Sequence, residues 1–189
     1  LKSIVDEAEE PQHYSMVLFC SEYCKLKVQE IPARDTADDF MISATILLDA
    51  PNCGRYFFDF KSKEGYYFRT YFVDNKLEMS IKLSEEEEKR FTFKAELPIQ
   101  KWFDISLICK HTEECFALFI EDKQVDSISL KPIPAFPDFV NNSFFNVREG
   151  CEEFFSFQLQ ELVMYAHGTN WYIKLPEKMD MQTKAALQS

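Results

Sequence analysis

The chain has 189 residues and a formal net charge of −11, and 46% of its residues are hydrophobic. This length and composition are those of a globular protein with one substantial core, and they exclude a disordered chain. The acidic balance argues against a protein that binds nucleic acid or an anionic membrane surface, because phosphate contacts need clustered Lys and Arg. No apolar run reaches the length of about 18 residues that a membrane-spanning helix needs.

Phenylalanine dominates the composition, with 19 residues beside eight tyrosines, and aromatic side chains suit the pleated, half-buried surface of a sheet. Apolar and polar residues alternate at period two along almost the whole chain, with turn signals between the runs. The predicted strands are 14–20, 25–31, 40–48, 55–61, 66–73, 77–83, 91–97, 102–109, 115–121, 125–130, 144–147 and 154–164. This pattern predicts an all-β fold, an antiparallel two-sheet β-sandwich of the jelly-roll kind.

The domain organisation follows from the segments that lack this alternation. Residues 1–12 are acidic and contain Pro11, which predicts a flexible leader. Residues 13–175 contain no linker or internal repeat and are predicted to form a single β-sandwich domain, and residues 176–189 are predicted to form a polar C-terminal tail. Three prolines within 131–138 predict an extended connection rather than a strand of a ladder.

Six cysteines stand near predicted strand ends and turns: Cys20, Cys24, Cys53, Cys109, Cys115 and Cys151. An even number in these places is typical of a disulfide framework in an oxidising compartment. We predict a disulfide between Cys109 and Cys115, because a hairpin with a loop over 110–114 would place them face to face. Asn141-Asn142-Ser143 is a glycosylation sequon with Asn141 as the acceptor. These features predict an extracellular or secretory-pathway glycoprotein, and the alternative is a cytoplasmic protein with reduced cysteines in its core.

The sequence contains no motif that supports catalysis. The three histidines have no metal-binding spacing, the four glycines form no phosphate-binding loop, and no nucleophile elbow is present. Asp59, Glu78 and Asp104 are the carboxylates that a glycan-cleaving site on a sandwich would need, but nothing in the sequence pairs them. We therefore predict no metal, no cofactor and no enzymatic activity, and we keep a glycan-cleaving enzyme as the least favoured alternative.

From Cys24 to Tyr165 the order of these pieces resembles a galectin-type carbohydrate-recognition domain, within the wider concanavalin A-like class that includes laminin G-like domains. The matching pieces are residues 39–43, 55–60, 72–75, 91–93, 101–105 and 116–124. The resemblance implies a lectin-like β-sandwich that acts as a recognition module. It covers about three quarters of the chain, by strand order rather than by binding residues.

The galactoside-binding signature of galectins is absent from this chain. If Asn75 takes the place of the family's asparagine, Phe58, Phe60 and Ser62 stand where the family has its polar trio. Met79 and Ser80 occupy the region of the stacking tryptophan. A sugar site needs directed hydrogen bonds and an aromatic platform, so the resemblance implies the fold without the usual galactoside site.

The leading hypothesis is therefore protein binding or cell adhesion through the strands that form the concave face in the family. The predicted contact residues are Arg55, Asp59, Lys61, Tyr67, Arg69, Tyr71 and Asn75. They mix aromatic rings with charge, as interface cores do, and the expected partner is a cell-surface or extracellular protein. The alternative for the two tyrosines is a place in the core, with the charges as ordinary surface. The second hypothesis is a lectin with a relocated site that uses Tyr67, Tyr71 or Trp171 as its stacking platform.

Overall fold

The structure is a computed structural model. It describes residues 16–19, 25–28, 39–49, 51, 54–146, 148, 157–166 and 169–180. The strands within these residues are β1 (Met16–Phe19), β2 (Lys25–Val28), β3 (Phe40–Leu48), β4 (Tyr56–Ser62), β5 (Tyr67–Val73), β6 (Lys76–Lys82), β7 (Lys89–Thr92), β8 (Trp102–Lys110), β9 (Cys115–Ile120), β10 (Lys123–Ser129), β11 (Phe139–Phe144), β12 (Phe157–Ala166) and β13 (Thr169–Asp180). No helix within them is long and apolar enough to cross a membrane.

The strands form two antiparallel sheets that pack into a β-sandwich. One sheet has seven strands in the order β1-β2-β11-β4-β5-β6-β7, and the other has six in the order β10-β9-β8-β3-β12-β13. This architecture confirms the predicted all-β, two-sheet sandwich. In the seven-stranded sheet β5 lies between β4 and β6, so its side chains have neighbours on both sides.

Phenylalanine is the most frequent residue in the core between the sheets. In β3, for example, the alternate residues Phe40, Ile42, Ala44, Ile46 and Leu48 point inwards, as the period-two pattern requires. Phe68 of β5 contacts both sheets, because its ring centroid lies 5.1 Å from that of Phe58 in its own sheet and 5.8 Å and 5.7 Å from those of Phe40 and Phe116 in the other. Phe136, from the proline-containing connection, lies 5.0 Å from the same ring.

Some strand boundaries differ from the predicted ones. The strand expected over 91–97 is β7, Lys89–Thr92, and the strand expected over 144–147 is β11, Phe139–Phe144. The proline-containing connection joins no ladder apart from a one-residue bridge at Phe136, as predicted. β13 ends at Asp180, within the segment predicted as a tail. β13 escaped prediction because its sequence lacks a regular alternation and contains Pro176.

The predicted Cys109–Cys115 disulfide is wrong in this structure, where the two sulfurs are not joined. The turn between β8 and β9 spans 111–114, one residue shorter than the predicted loop, so Cys115 lies opposite Lys110 and Cys109 lies opposite Phe116. Cross-strand partners share a face and successive residues alternate, so the two cysteines point to opposite faces of the sheet. Cys109 belongs to the main core and Cys115 does not.

Burial, with the nearby Glu113 carboxylate, raises the pKa of the Cys115 thiol above its usual value. Because the folded-state pKa is raised, the contribution of the protonated thiol to stability is present below the pKa of the unfolded thiol and is lost as the pH rises from there through the raised pKa. We expect slow alkylation of Cys115 in the folded protein and rapid alkylation after unfolding without reductant, because the thiolate is the reactive form. Peptide mass spectrometry after iodoacetamide treatment measures alkylation of Cys115 in the folded and the unfolded protein. If the unfolded protein reacted only after reduction, the register of β8 against β9 would be wrong.

Candidate recognition face

The candidate site is the side of the seven-stranded sheet that faces away from the core. The core-facing residues of β4, β5 and β6 include Phe57, Phe58, Phe60, Phe68, Phe72, Leu77, Met79 and Ile81, and Thr70 shares their face because it lies opposite Phe58 and Met79. The residues between them point the other way. We call that side the outer face, and on β4 to β7 it carries Tyr56, Asp59, Lys61, Tyr67, Arg69, Tyr71, Glu78, Ser80, Lys82, Arg90 and Thr92.

The centre of the outer face is an ion pair between neighbouring strands. Arg69 of β5 lies opposite Asp59 of β4, and its Nε donates to Asp59 Oδ1 at 3.0 Å. Lys61 Nζ lies 3.5 Å from the second oxygen of the same carboxylate. The side chains of Asp59, Arg69 and Lys61 are 6%, 20% and 38% exposed, so the carboxylate is nearly buried while its two cations reach the surface.

Two tyrosine rings hold the guanidinium of Arg69 in place. Its central carbon lies 3.7 Å from the ring centroid of Tyr67 and 5.4 Å from that of Tyr56, both within the range of a cation–π contact. We call Arg69, Asp59, Lys61, Tyr67 and Tyr56 the Arg69 cluster. Because rings and a carboxylate fix the arginine from several sides, the cluster is ordered before any partner arrives.

Glu88 extends the cluster towards β7. The Tyr67 hydroxyl donates to Glu88, which also accepts from Arg90 Nε. The hydrogen bond from Arg90 to Glu88 raises the pKa of the Arg90 guanidinium further above its usual value. The outer face therefore carries charges of both signs, bound to one another, on a chain with a strongly negative total.

Tyr71, a predicted contact residue, lies on the outer face but is covered. It is 2% exposed, its hydroxyl lies 3.3 Å from Ser80 Oγ, and the Arg148 guanidinium lies 4.0 Å from its ring centroid. Its edge meets the Tyr56 ring at 6.0 Å. A ring in this environment supports the cluster by packing and presents no open face for stacking.

Besides Tyr71, two more predicted contact residues lie outside the cluster. Arg55 is 3% exposed, and its Nη1 donates to the carbonyl of Phe145 at 2.8 Å. Asn75 forms the β5–β6 turn with Asp74, and both have positive φ angles, of 67° and 48°. Its backbone donates to Pro51 and accepts from Leu97. Arg69 lies four residues, about 13 Å, before the end of β5 at Val73, and Asn75 lies beyond that end, in the turn.

The sequence prediction missed Tyr56 because of a β-bulge. The register of β4 against β5 shifts between Tyr56 and Phe58, so Phe57 is an extra residue that packs into the core. The bulge moves Tyr56 to the outer face and Arg55 away from it. Arg148 was also missed, because its contact with Tyr71 joins residues far apart in the chain. No local pattern carries either signal.

The three carboxylates considered for glycan cleavage each contact a different set of groups. Asp104 lies in the other sheet, where Thr45 Oγ1 donates to it at 2.6 Å. Asp59 is held by two cations, and Glu78 lies across β5 from it and accepts weakly from Thr92 at 3.4 Å. Among the described residues no group of His, Cys, Asp or Glu could hold a metal ion.

The comparisons with known proteins concern the fold. No protein-family model matches the chain, and no curated protein matches its sequence. The chain is similar in structure to the LG4–LG5 domains of the mouse laminin α1 chain, with a TM-score of 0.56 and 9% identity over 92% of this chain and 48% of that one. It is also similar to a structure of botulinum neurotoxin type C, with a TM-score of 0.51 and 15% identity over 87% and 39%.

A third similar structure is the binding domain of botulinum neurotoxin DC in complex with rat synaptotagmin II, with a TM-score of 0.50 and 15% identity over 87% of this chain and 39% of that one. This chain thus spans less than half the length of each of these three chains. At these identities the likeness shows the fold alone. The protein has a lectin-like, concanavalin A-like β-sandwich fold.

Proposed function

We propose that this protein is a non-enzymatic recognition module, related in form to galectins, that binds another protein through the Arg69 cluster on its outer face. The observation that carries the proposal is the arrangement of Arg69 between two tyrosine rings and beside the nearly buried Asp59. Arginine and tyrosine are the residues most enriched in the energetic centres of protein interfaces. A fixed arginine loses little conformational entropy when a partner binds.

The partner should present a flat surface with groups of both signs. The cluster offers the partly exposed cations Lys61 and Arg69, while Glu88 lies beside them. Because opposite charges already neutralise one another here, charge complementarity would set the orientation of a partner more than the total affinity. Such a partner is a protein surface, rather than a strongly acidic or strongly basic polymer.

The structurally similar proteins support a partner outside the cell. One was solved as a complex with synaptotagmin II, and another is a laminin chain. We propose by this likeness that the protein works in the extracellular space or the secretory pathway, in adhesion or in binding of a cell-surface protein. A cytoplasmic protein with reduced cysteines remains the alternative.

Cell binding with surface variants tests this proposal. The protein is produced in bacteria, labelled, and titrated onto a panel of cell lines by flow cytometry. We expect saturable binding that Lys61→Glu and Tyr67→Ala each weaken about tenfold or more, as expected for residues at the centre of an interface. Lys123→Glu, on β10 at the edge of the other sheet, is the matched control and should bind as the wild type does. Equal losses in all three variants would reject the outer face.

A glycan site centred on Tyr67 is the second candidate function. Of the three predicted platforms, Tyr71 is covered and Trp171 lies in β13 of the other sheet, whereas Tyr67 is partly exposed beside polar groups. Cell entry of botulinum neurotoxin type C depends on interaction with two ganglioside molecules. Saturable binding on a glycan array that Tyr67→Ala abolishes would favour this function over protein binding, and a silent array would exclude it for the glycans displayed.

A further inference from the structure

The glycosylation sequon lies on the same outer face as the Arg69 cluster. Asn141 of β11 is exposed and lies directly opposite Lys61 of β4. The register of β11 shifts between Phe139 and Asn141, so that Phe139 enters the core while Asn141 faces outwards. Asn142, the middle residue of the sequon, points the other way and is 1% exposed. Of the two asparagines in the sequon, only the acceptor, Asn141, therefore has its side chain in solvent.

A single row of cross-strand partners links Asn141 to the cluster. Asn141 lies opposite Lys61, Lys61 opposite Tyr67, and Tyr67 opposite Lys82. Neighbouring strands are about 4.8 Å apart, so Tyr67 lies about 10 Å from Asn141 and Lys82 about 14 Å. On the other side of β11, the last described residue of β2, Val28, lies opposite Asn142. An attached glycan thus begins one strand away from the cluster.

We propose that Asn141 carries an N-linked glycan that covers the Lys61–Tyr67 end of the outer face, so that the Arg69 cluster is closed to a protein partner in the glycosylated form and open in the unglycosylated form. In the modification, the Asn141 amide nitrogen forms a bond to the anomeric carbon of an oligosaccharide. The bond from that carbon to the pyrophosphate of a lipid carrier breaks, and the amide proton leaves with the pyrophosphate. The glycan is bulky and hydrated, and it shields the surface beside its attachment point. The effect of the glycan on partner binding rests on the proposed function, whereas its shielding of the surface around Lys61 does not.

Lysine acylation measures the shielding without any partner. The protein is secreted from mammalian cells behind a cleavable signal peptide and compared with its Asn141→Gln variant. Both are treated with an acetyl succinimidyl ester, and peptide mass spectrometry follows the rate at each lysine. We expect acylation of Lys61 to be several-fold slower in the glycosylated protein, with a weaker effect at Lys82. Lys123, on the other sheet, is the internal control and should react at equal rates in both proteins.

Two results would overturn the proposal: secreted protein without a glycan at Asn141, or equal acylation rates at Lys61 in the two proteins. Cell binding of the same two proteins tests the consequence separately. Stronger binding by the Asn141→Gln variant supports closure of the cluster. If the glycan shields Lys61 but both proteins bind cells equally, then the proposed recognition face is wrong and the position of the glycan stands.

Discussion

Replacement of Phe68 by alanine should lower the free energy of unfolding by about 3–5 kcal/mol, the range measured for large-to-small changes at buried aromatic positions. The ring is 1% exposed and touches phenylalanines from both sheets and from the proline-containing connection. Its loss leaves a cavity at the point where the sheets meet, and a strand between two neighbours cannot collapse to fill it. Urea denaturation followed by fluorescence measures the loss.

Phe119→Ala is the matched control for this prediction. Phe119 also lies in a strand, but it is only partly buried and packs outside the main core against Met41, Ile108 and Val163. The same substitution there should cost clearly less, because fewer contacts are lost and solvent can fill the space. If the two variants lose equal stability, then Phe68 does not have the central place that the structure gives it.

Arg69→Ala should destabilise the protein by about 1.5–3 kcal/mol, because it removes a charged hydrogen bond and leaves a nearly buried carboxylate with less compensation. Of the two cations that now contact Asp59, only Lys61 would remain. Its Nζ lies 3.5 Å from the carboxylate, and its side chain is partly exposed. The two tyrosine rings would lose the guanidinium that lies against them. Thermal and urea unfolding of the purified variant measure the effect.

A double-mutant cycle separates the ion pair from the packing around it. Asp59→Asn with Arg69→Ala should be less destabilising than the sum of the two single changes, since no buried charge remains unpaired. Additive losses would mean that Arg69 contributes through its contacts with the rings and not through the carboxylate. The Arg69 cluster would then be a packing feature without the charge arrangement that the proposed function uses.

The sequence predicted the sandwich well because the period-two pattern is local. β3 shows this most clearly: its predicted and observed limits, Phe40 and Leu48, coincide, and its alternate residues enter the core. Aromatic and β-branched residues with turn signals between them suffice to predict strands, and strands without helices leave few architectures.

The candidate site was predicted less well because a face depends on register. The bulge residue Phe57 places Tyr56 on the outer face, where the sequence pattern predicted Arg55. The turn between β8 and β9 is one residue shorter than expected, so Cys109 and Cys115 lie on opposite faces of their sheet. Beyond β4's bulge the alternation holds, so Asp59, Lys61, Tyr67, Arg69 and Tyr71 share the predicted face. The cover over Tyr71 comes from Arg148, and no sequence pattern reports a contact between residues so distant in the chain.

Site-specific photo-crosslinking tests the recognition face most directly. A benzophenone amino acid is placed at position 82 or, as the control, at position 125, in an Asn141→Gln background. Lys82 lies opposite Tyr67 on the outer face, and Val125 is 39% exposed on β10 of the other sheet. Irradiation on cells that bind the protein should produce a covalent adduct with a cell-surface protein from position 82 and none from position 125. An adduct from position 125 alone would contradict the account.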